Sequence, residues 1–466
     1  MAKDKKRTSA PVGELQHLST TALGVGFLLL LLAAILTLRW RTMGQEEEQQ
    51  QQQQQQLLPP EQTWARFREK HPSEPLGWTL QHQYSSTPLL LRSVPVATNR
   101  TLHALLSGIQ YPRIKVHSSR RVPFYDSQSP WADLSHSAAP PFVSLPPSDL
   151  GDFPFSKANP LSSSKSPGWW HITLTLAGQG GLKLVSLLAP GFFDSLGGQT
   201  AAEHRLWLAR EGWTVLPHYD VTDNLYLQLR GSKTFLVASP EAAQSLALHP
   251  SPHPSWRQAQ LELTSLPALR AATQGDARVR LWQVTLRAGD ALYLPAYNFH
   301  CVETGPDSVS MNAWLPSEAT AYASAQMRLV LPWSREASRQ EKLVALGSVA
   351  AALFAEAQDV FGCPQADMRD QLLNRHNSLA HEGRWCGGFA EGSDEAVCTE
   401  PVHSGPSGLA ASQAVQALSD LLQAKVELPA VRALLALDWL EEALDSVLGP
   451  QHSSPCSVIR FVDTCI

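Results

Sequence analysis

The pattern of apolar and polar positions divides the chain into an apolar run, a polar stretch, a strand-rich body and a helical end. Thr20 to Leu38 reads TTALGVGFLLLLLAAILTL, with no charge. That length matches a bilayer-spanning helix better than a core helix. No small-x-small cleavage site follows before Arg39 and Trp40, so 20–38 is expected to be an uncleaved transmembrane signal anchor. A cleaved signal peptide is the alternative. Glu46–Glu48 and the Gln49–Gln56 run then predict a flexible stem over 39–60. A short helical pattern covers Glu61–Lys70, and STPLLLRSVPVA (86–97) reads as a buried strand entering a turn. Between 123 and 167 Ser and Pro dominate, which predicts long surface loops.

From Trp169 to Trp314 short strand-like runs recur between Gly, Asp and Pro signals, the rhythm of an all-β barrel or sandwich. NLYLQLRGSKTFLVASP (224–240) reads as a hairpin around Gly231-Ser232. Leu225, Leu227 and Leu229 fall on one face, with Tyr226, Gln228 and Arg230 on the other. QVTLRAGDALYLP (283–295) repeats that pattern around Gly289-Asp290, and SVSMNAWL (308–315) adds a further strand. Beyond about 320 the period becomes helical. Leu343, Leu346, Ala350, Leu353 and Phe354 share a face behind a Ser338-x-x-Glu341 capping box, and helices are expected near 409–426 and 430–447.

Charge and cysteines refine this picture. A net charge of −5 gives no nucleic-acid footprint. Lys3, Lys5, Lys6 and Arg7 precede the apolar run and only Arg39 and Arg41 follow it closely, so residues 1–19 are expected in the cytosol and the body in the lumen. The sequon Asn99-Arg100-Thr101 agrees with that topology. Cys301 is alone before residue 360, whereas Cys363, Cys386, Cys398, Cys456 and Cys465 follow. No C-x-x-C spacing points to structural zinc. In a lumen Cys386–Cys398 and Cys456–Cys465 could close short disulfide loops, and free thiols are the alternative.

Candidate chemistry centres on LPHYDVTDN, where His218 and Asp220 stand two apart and so share one face of a strand. His300 ends another strand behind Leu292-Tyr293-Leu294-Pro295. Two histidines and a carboxylate make the facial triad of non-haem Fe(II) oxygenases, which leaves open positions for co-substrate and O2. Alone, H-x-D is a weak signal.

Its companions strengthen it. HYDVTDNLYLQLRGSKTFLVASP, HPSWRQAQ, VTLRAGDALYLPAYNFHCVE and VSMNAWL resemble, in order and spacing, the JmjC/cupin-8 hydroxylases, and are similar in layout to the group containing the asparaginyl hydroxylase factor-inhibiting HIF. The resemblance covers roughly 80–320. It implies a mainly β fold with a double-stranded β-helix (cupin, jelly-roll) core over 61–320 and an α-helical region over 321–466. It implies Fe(II) held by His218, Asp220 and His300, with 2-oxoglutarate and O2 as co-substrates. Lys233 matches the lysine that pairs with the distal carboxylate of 2-oxoglutarate. Asn224 and Asn312 match polar positions of the same pocket, and Tyr226 and Trp314 line the substrate side.

The family's hydroxyl residue three before the first histidine is replaced by Val215, with Thr214 one step away as its expected substitute. His171 is the candidate for an upstream pocket tyrosine. The implied reaction is oxidative decarboxylation of 2-oxoglutarate to succinate with hydroxylation of a C–H bond, on a protein or peptide side chain. Further expectations are a type II membrane protein of the ER or Golgi, no nucleic-acid partner, and a homodimer through the C-terminal helices. A non-catalytic JmjC domain serving as a lumenal binding or scaffold protein, and a metal-binding cupin without oxidation, are the alternatives.

Overall fold

A computed structural model describes residues 68–70, 87–107, 113–117, 121–122, 142–144, 169–193, 203–253, 255–261, 266–273, 276–315, 333, 336–361, 365–381, 406–426, 428–449 and 455–465. All lie in one compact unit, Trp64–Ile466. The 20–38 run, the stem, Cys363, Cys386 and Cys398 lie outside the described residues. Among those described, no helix is long and apolar enough to cross a membrane.

The strands are β1 (Arg68–Lys70), β2 (Leu89–Leu91), β3 (Arg113–His117), β4 (Arg121–Val122), β5 (Phe142–Ser144), β6 (Trp169–Thr175) and β7 (Glu203–Ala209). They continue with β8 (Thr214–Tyr219), β9 (Asp223–Arg230), β10 (Ser232–Ala238), β11 (Leu281–Arg287), β12 (Ala291–Leu294), β13 (Phe299–Thr304) and β14 (Val309–Leu315). A nine-stranded sheet runs β1-β2-β12-β9-β14-β7-β6-β3-β5, and a five-stranded sheet runs β11-β10-β13-β8-β4. Pairings are antiparallel except β1 with β2 and β4 with β8. The helices are α1 (Asn99–Ser107), α2 (Gly178–Leu188), α3 (Leu266–Ala272), α4 (Arg339–Ala355), α5 (Ala357–Phe361), α6 (Gln365–His381), α7 (Pro406–Lys425), α8 (Pro429–Leu448) and α9 (Pro455–Cys465).

Alternation sorts side chains into layers. Leu225, Leu227 and Leu229 of β9 face outward, packing with Leu102 and Leu106 of α1 and Val185 and Leu188 of α2. Tyr226 faces inward and meets Phe235, Val237, Trp282 and Val302 from the other sheet. The outer face of the five-stranded sheet, with Tyr219, Leu236, Phe299 and Cys301, is covered by the C-terminal helices through Leu346, Phe354, Leu437 and others. The fold is therefore mainly β, a two-sheet sandwich with C-terminal helices. Both helices expected near 409–426 and 430–447 are present, as α7 and α8. So is the capping box on α4, where Ser338 accepts from the Glu341 amide.

Several expectations are corrected. The 224–240 segment is not a hairpin, because β9 pairs with β12 and β14 while β10 pairs with β11 and β13. One residue, Gly231 at φ 65°, turns the chain from one sheet to the other, and a Cβ there would meet the backbone oxygen of Pro306 at 2.1 Å. Gly289 (φ 86°) does the same between β11 and β12. Alternation fixes which face a residue occupies but not which strand lies beside it. Residues 68–70 are strand rather than helix, and 142–144 form a strand inside the stretch expected to be loop.

Cys456 and Cys465 are both in disulfides, but not with each other. They stand at opposite ends of α9. Nine residues of helix separate their Cα atoms by roughly 13 Å, beyond the ~7 Å limit of a disulfide.

Candidate metal centre

The site lies between the sheets and is built by register. His218 on β8 is directly paired with His300 on β13, which is paired with Val237 on β10. Directly paired residues share a face, so both imidazoles point inward with Val237, Phe235 and Lys233. Their ring centroids are 4.1 Å apart. Asp220 follows just beyond β8, with its Oδ2 3.8 Å from His300 Nε2. Among the described residues this is the one group of three whose ligand atoms all fall within 4.8 Å of one another.

Its chemistry fits a divalent transition metal. His218 Nδ1 faces the Leu216 carbonyl at 2.9 Å and His300 Nδ1 faces the Asn298 carbonyl at 3.1 Å. Each Nδ1–H donates to a carbonyl, leaving the Nε2 lone pairs for a metal. Burial, followed by the neighbouring His300, depresses His218 to about 3, so its imidazole is neutral. Burial pushes Asp220 up, but His300 and His218, the Trp314 indole and Arg257 together pull it below the ordinary carboxylate range.

A hydrogen-bond chain fixes that carboxylate. Trp207 Nε1 donates to Asn312 Oδ1 (2.7 Å), Asn312 Nδ2 to Asn224 Oδ1 (3.1 Å), and Asn224 Nδ2 to Asp220 Oδ2 (3.0 Å). Trp314 Nε1 also donates to Asp220 Oδ2, at 3.1 Å. The polar groups of Asn224, Asn312 and Trp314 are thus spent on orienting the Asp220 carboxylate. On the other side Arg257 brings a guanidinium within 3.9 Å of Asp220 Oδ1, stacked over the Trp256 ring. Its backbone sits at φ 74°, costing about 1–2 kcal/mol for a residue with a Cβ. A bridge between His218 and Gln258 and a bond from the Tyr219 amide to the Arg257 carbonyl hold that conformation.

Lys233 is 3 % exposed. Its Nζ donates to the Tyr226 hydroxyl at 2.7 Å and stands 6.0 Å from the Trp207 ring centre. Tyr226 also hydrogen-bonds Ser310 closely. Among the described residues no carboxylate pairs with Lys233, and burial pulls its pKa down to about 7. A buried ammonium group beside a hydroxyl and an indole has the chemistry to pair with a carboxylate, and none of the described residues supplies one. Tyr226, expected on the substrate side, therefore belongs with Lys233.

Thr214 does not join them. It pairs with Glu303, whereas the inward position is taken by Val215, which pairs with Val302. β8 spends two residues between His218 and Val215 where β13 spends one between His300 and Val302, a bulge that reverses the alternation. Thr214 accordingly turns to the opposite face and donates to the Gly212 carbonyl. Pro217, a residue that interior strands admit mainly at bulges, was the available signal. His171 is buried against Trp213 and Trp207, with ring centres 4.6 and 6.4 Å away. Trp207, Ser310 and Arg257 carried no assigned role in the sequence. Trp207 was legible as the inward residue between Leu206 and Leu208.

The helical side also reaches the site. Asp438 of α8 accepts from Trp256 Nε1 (3.2 Å) and from the Tyr219 hydroxyl (3.4 Å), Tyr219 standing between His218 and Asp220 in the chain. Arg375 of α6 pairs with Asp438 (2.7 Å) and Glu441 (2.8 Å), and Glu441 also meets His376 and the Ser251 amide.

Part of the chain is similar to known proteins. Residues 185–321 match the cupin-like domain. The Drosophila melanogaster Jumonji C domain-containing protein 5 is 30 % identical over 118 residues, 24 % of this chain and 28 % of that protein. The human tRNA wybutosine-synthesizing protein 5 is 34 % identical over 109 residues, 23 % of this chain and 31 % of that one. The chain therefore spans less than a third of either relative's length. The E. coli ycfD crystal structure superposes with a TM-score of 0.31 at 13 % identity, over 57 % of this chain and 60 % of that one, a likeness too slight to bear on the fold. Residues 185–321 therefore carry a cupin-like domain, and the His-Asp-His cluster is consistent with Fe(II)-dependent oxygenases.

Proposed function

We propose that the protein is an Fe(II)- and 2-oxoglutarate-dependent dioxygenase that hydroxylates a protein side chain in the lumen of the secretory pathway. The observation that carries this reading is the placement of His218, Asp220, His300 and Lys233 on the inner face of one sandwich, where a metal-chelating keto acid can reach a buried cation. His218, Asp220 and His300 would hold Fe(II). With O2 and 2-oxoglutarate it supplies the oxidising power to convert a C–H to a C–OH, giving succinate and CO2. The chain's own residues prepare the site. Lys233, steadied by Tyr226 and Ser310, takes the distal carboxylate. Trp207, Asn312 and Asn224 lock Asp220, while the indole walls exclude water.

Two features support the lumenal placement. Cys456 and Cys465 are in disulfides, which persist in oxidising compartments. The basic residues before the 20–38 apolar run favour a cytosolic N-terminus. A protein substrate is favoured over tRNA, which the human relative's name points to, because a net charge of −5 gives no overall attraction for a phosphate backbone.

One observation favours a second reading, a non-catalytic binding domain: the position that carries a hydroxyl in the resembling family is Val215, and Thr214 faces away. Succinate release by the purified 64–466 unit with Fe(II), ascorbate and 2-oxoglutarate separates the two. Turnover that disappears in His218→Ala and falls in Lys233→Met is expected. Tight metal binding without any succinate, even with candidate lumenal peptides, would leave the binding reading standing.

A further inference from the structure

We infer that Asn99 carries an N-linked glycan. The inference rests on the lumenal placement proposed above, and three observations carry it further. No other asparagine of the chain has Ser or Thr two residues on, so Asn99-Arg100-Thr101 is its single acceptor triplet. All three residues are exposed in the folded protein. Asn99 opens α1, whose buried side chains are Leu102 and Leu106, so the helix docks through its later turns and leaves its first residue to solvent.

The local bonding leaves the acceptor free. Thr98 caps the helix, with its hydroxyl accepting from the Thr101 amide at 3.2 Å and meeting the Thr101 hydroxyl at 2.9 Å. These contacts are confined to neighbouring residues of the same turn. Among the described residues the Asn99 amide makes no hydrogen bond that a glycan would have to break. A bulky, hydrated substituent at this corner displaces no packed group.

The modification is a group transfer without redox change. Asn99 Nδ2 bonds to the anomeric carbon of a pyrophosphate-linked lipid oligosaccharide. The bond from that carbon to the pyrophosphate oxygen breaks, the lipid pyrophosphate leaves, and the amide proton passes to base. The transferring machinery works in the lumen, where the disulfides of Cys456 and Cys465 would also be made.

The test expresses the full chain, with a short C-terminal reporter sequon, in a eukaryotic secretory host and treats it with an N-glycan-cleaving amidase. Two discrete mobility shifts are expected. The one belonging to Asn99 disappears in Asn99→Gln and Thr101→Ala but survives in Thr101→Ser. A shift from the reporter alone would overturn the glycan while leaving the lumenal placement intact. Absence of both shifts would overturn both.

Discussion

Replacing Lys233 by Met should stabilise the fold while destroying the proposed co-substrate site. The ammonium is buried without a carboxylate among the described residues, and its pKa falls from 10.5 to about 7. A folded-state pKa below the unfolded one means that the folded protein binds the proton less readily, so charging Lys233 costs stability. That cost is fully present below pH 7 and is relieved as pH rises from 7 towards 10.5. It amounts to about 4 kcal/mol at pH 7 and about 2 kcal/mol at pH 9. Losing the Tyr226 hydrogen bond offsets about 1 kcal/mol, and Met fills nearly the same volume. Urea unfolding of the 64–466 unit should therefore show the variant about 3 kcal/mol more stable at pH 7 and about 1 kcal/mol more stable at pH 9. Adding 2-oxoglutarate should raise the wild-type unfolding free energy by about 2.7 kcal/mol at a hundredfold excess over Kd, and leave the variant's unmoved. A variant less stable than wild type at pH 7, or a gap that does not change with pH, would refute the argument that Lys233 waits as an uncompensated buried charge.

Asn224→Ala cuts the chain that orients Asp220, and metal affinity measured by competition with a chelator should fall roughly 10- to 100-fold with little change in unfolding midpoint. Arg375→Ala leaves Asp438 and Glu441 buried without their cation and should cost about 3–5 kcal/mol in urea unfolding, with Arg375→Lys recovering part of it. Gly231→Ala places a Cβ against the Pro306 carbonyl at a left-handed corner, and a loss of about 2–3 kcal/mol is expected from thermal or urea melts.

What the sequence disclosed and concealed follows from the range of each interaction. Alternation in LYLQL assigned Leu225, Leu227 and Leu229 to one core and Tyr226 to another, because the period of two is local. The 3.6-residue period exposed α7 and α8 for the same reason. Strand partners were hidden, since Gly231 looks like a hairpin turn whether the next strand returns to its neighbour or crosses to the other sheet. The grouping of His218, Asp220 and His300 was visible through spacing and resemblance. The bulge that exchanges Thr214 for Val215 was not, because one extra residue reverses a face without altering composition. Asp438 and Glu441 were least legible of all. They are buried carboxylates within the apolar run LLALDWLEEAL, and their partner Arg375 lies 63 and 66 residues away.

Those two carboxylates change how the helical region should be understood. β8 carries His218 inward and Tyr219 outward on consecutive residues. The inward side is steadied within the sandwich by the chain from Trp207 through the two asparagines to Asp220. Asp438 steadies the outward side, gripping Tyr219 and, through Trp256, the loop that holds Arg257 in its left-handed conformation. Buried polar bonds are directional where apolar contacts are not, so helices that served only to cover Phe299 and Cys301 would need no such carboxylate. The energetic logic is that Arg375 bridges Asp438 and Glu441, which lowers the cost of their burial and leaves Asp438 Oδ2 for both tethers. β8, which carries His218, is thereby fixed from two sides. The C-terminal helices thus act as a second wall of the site.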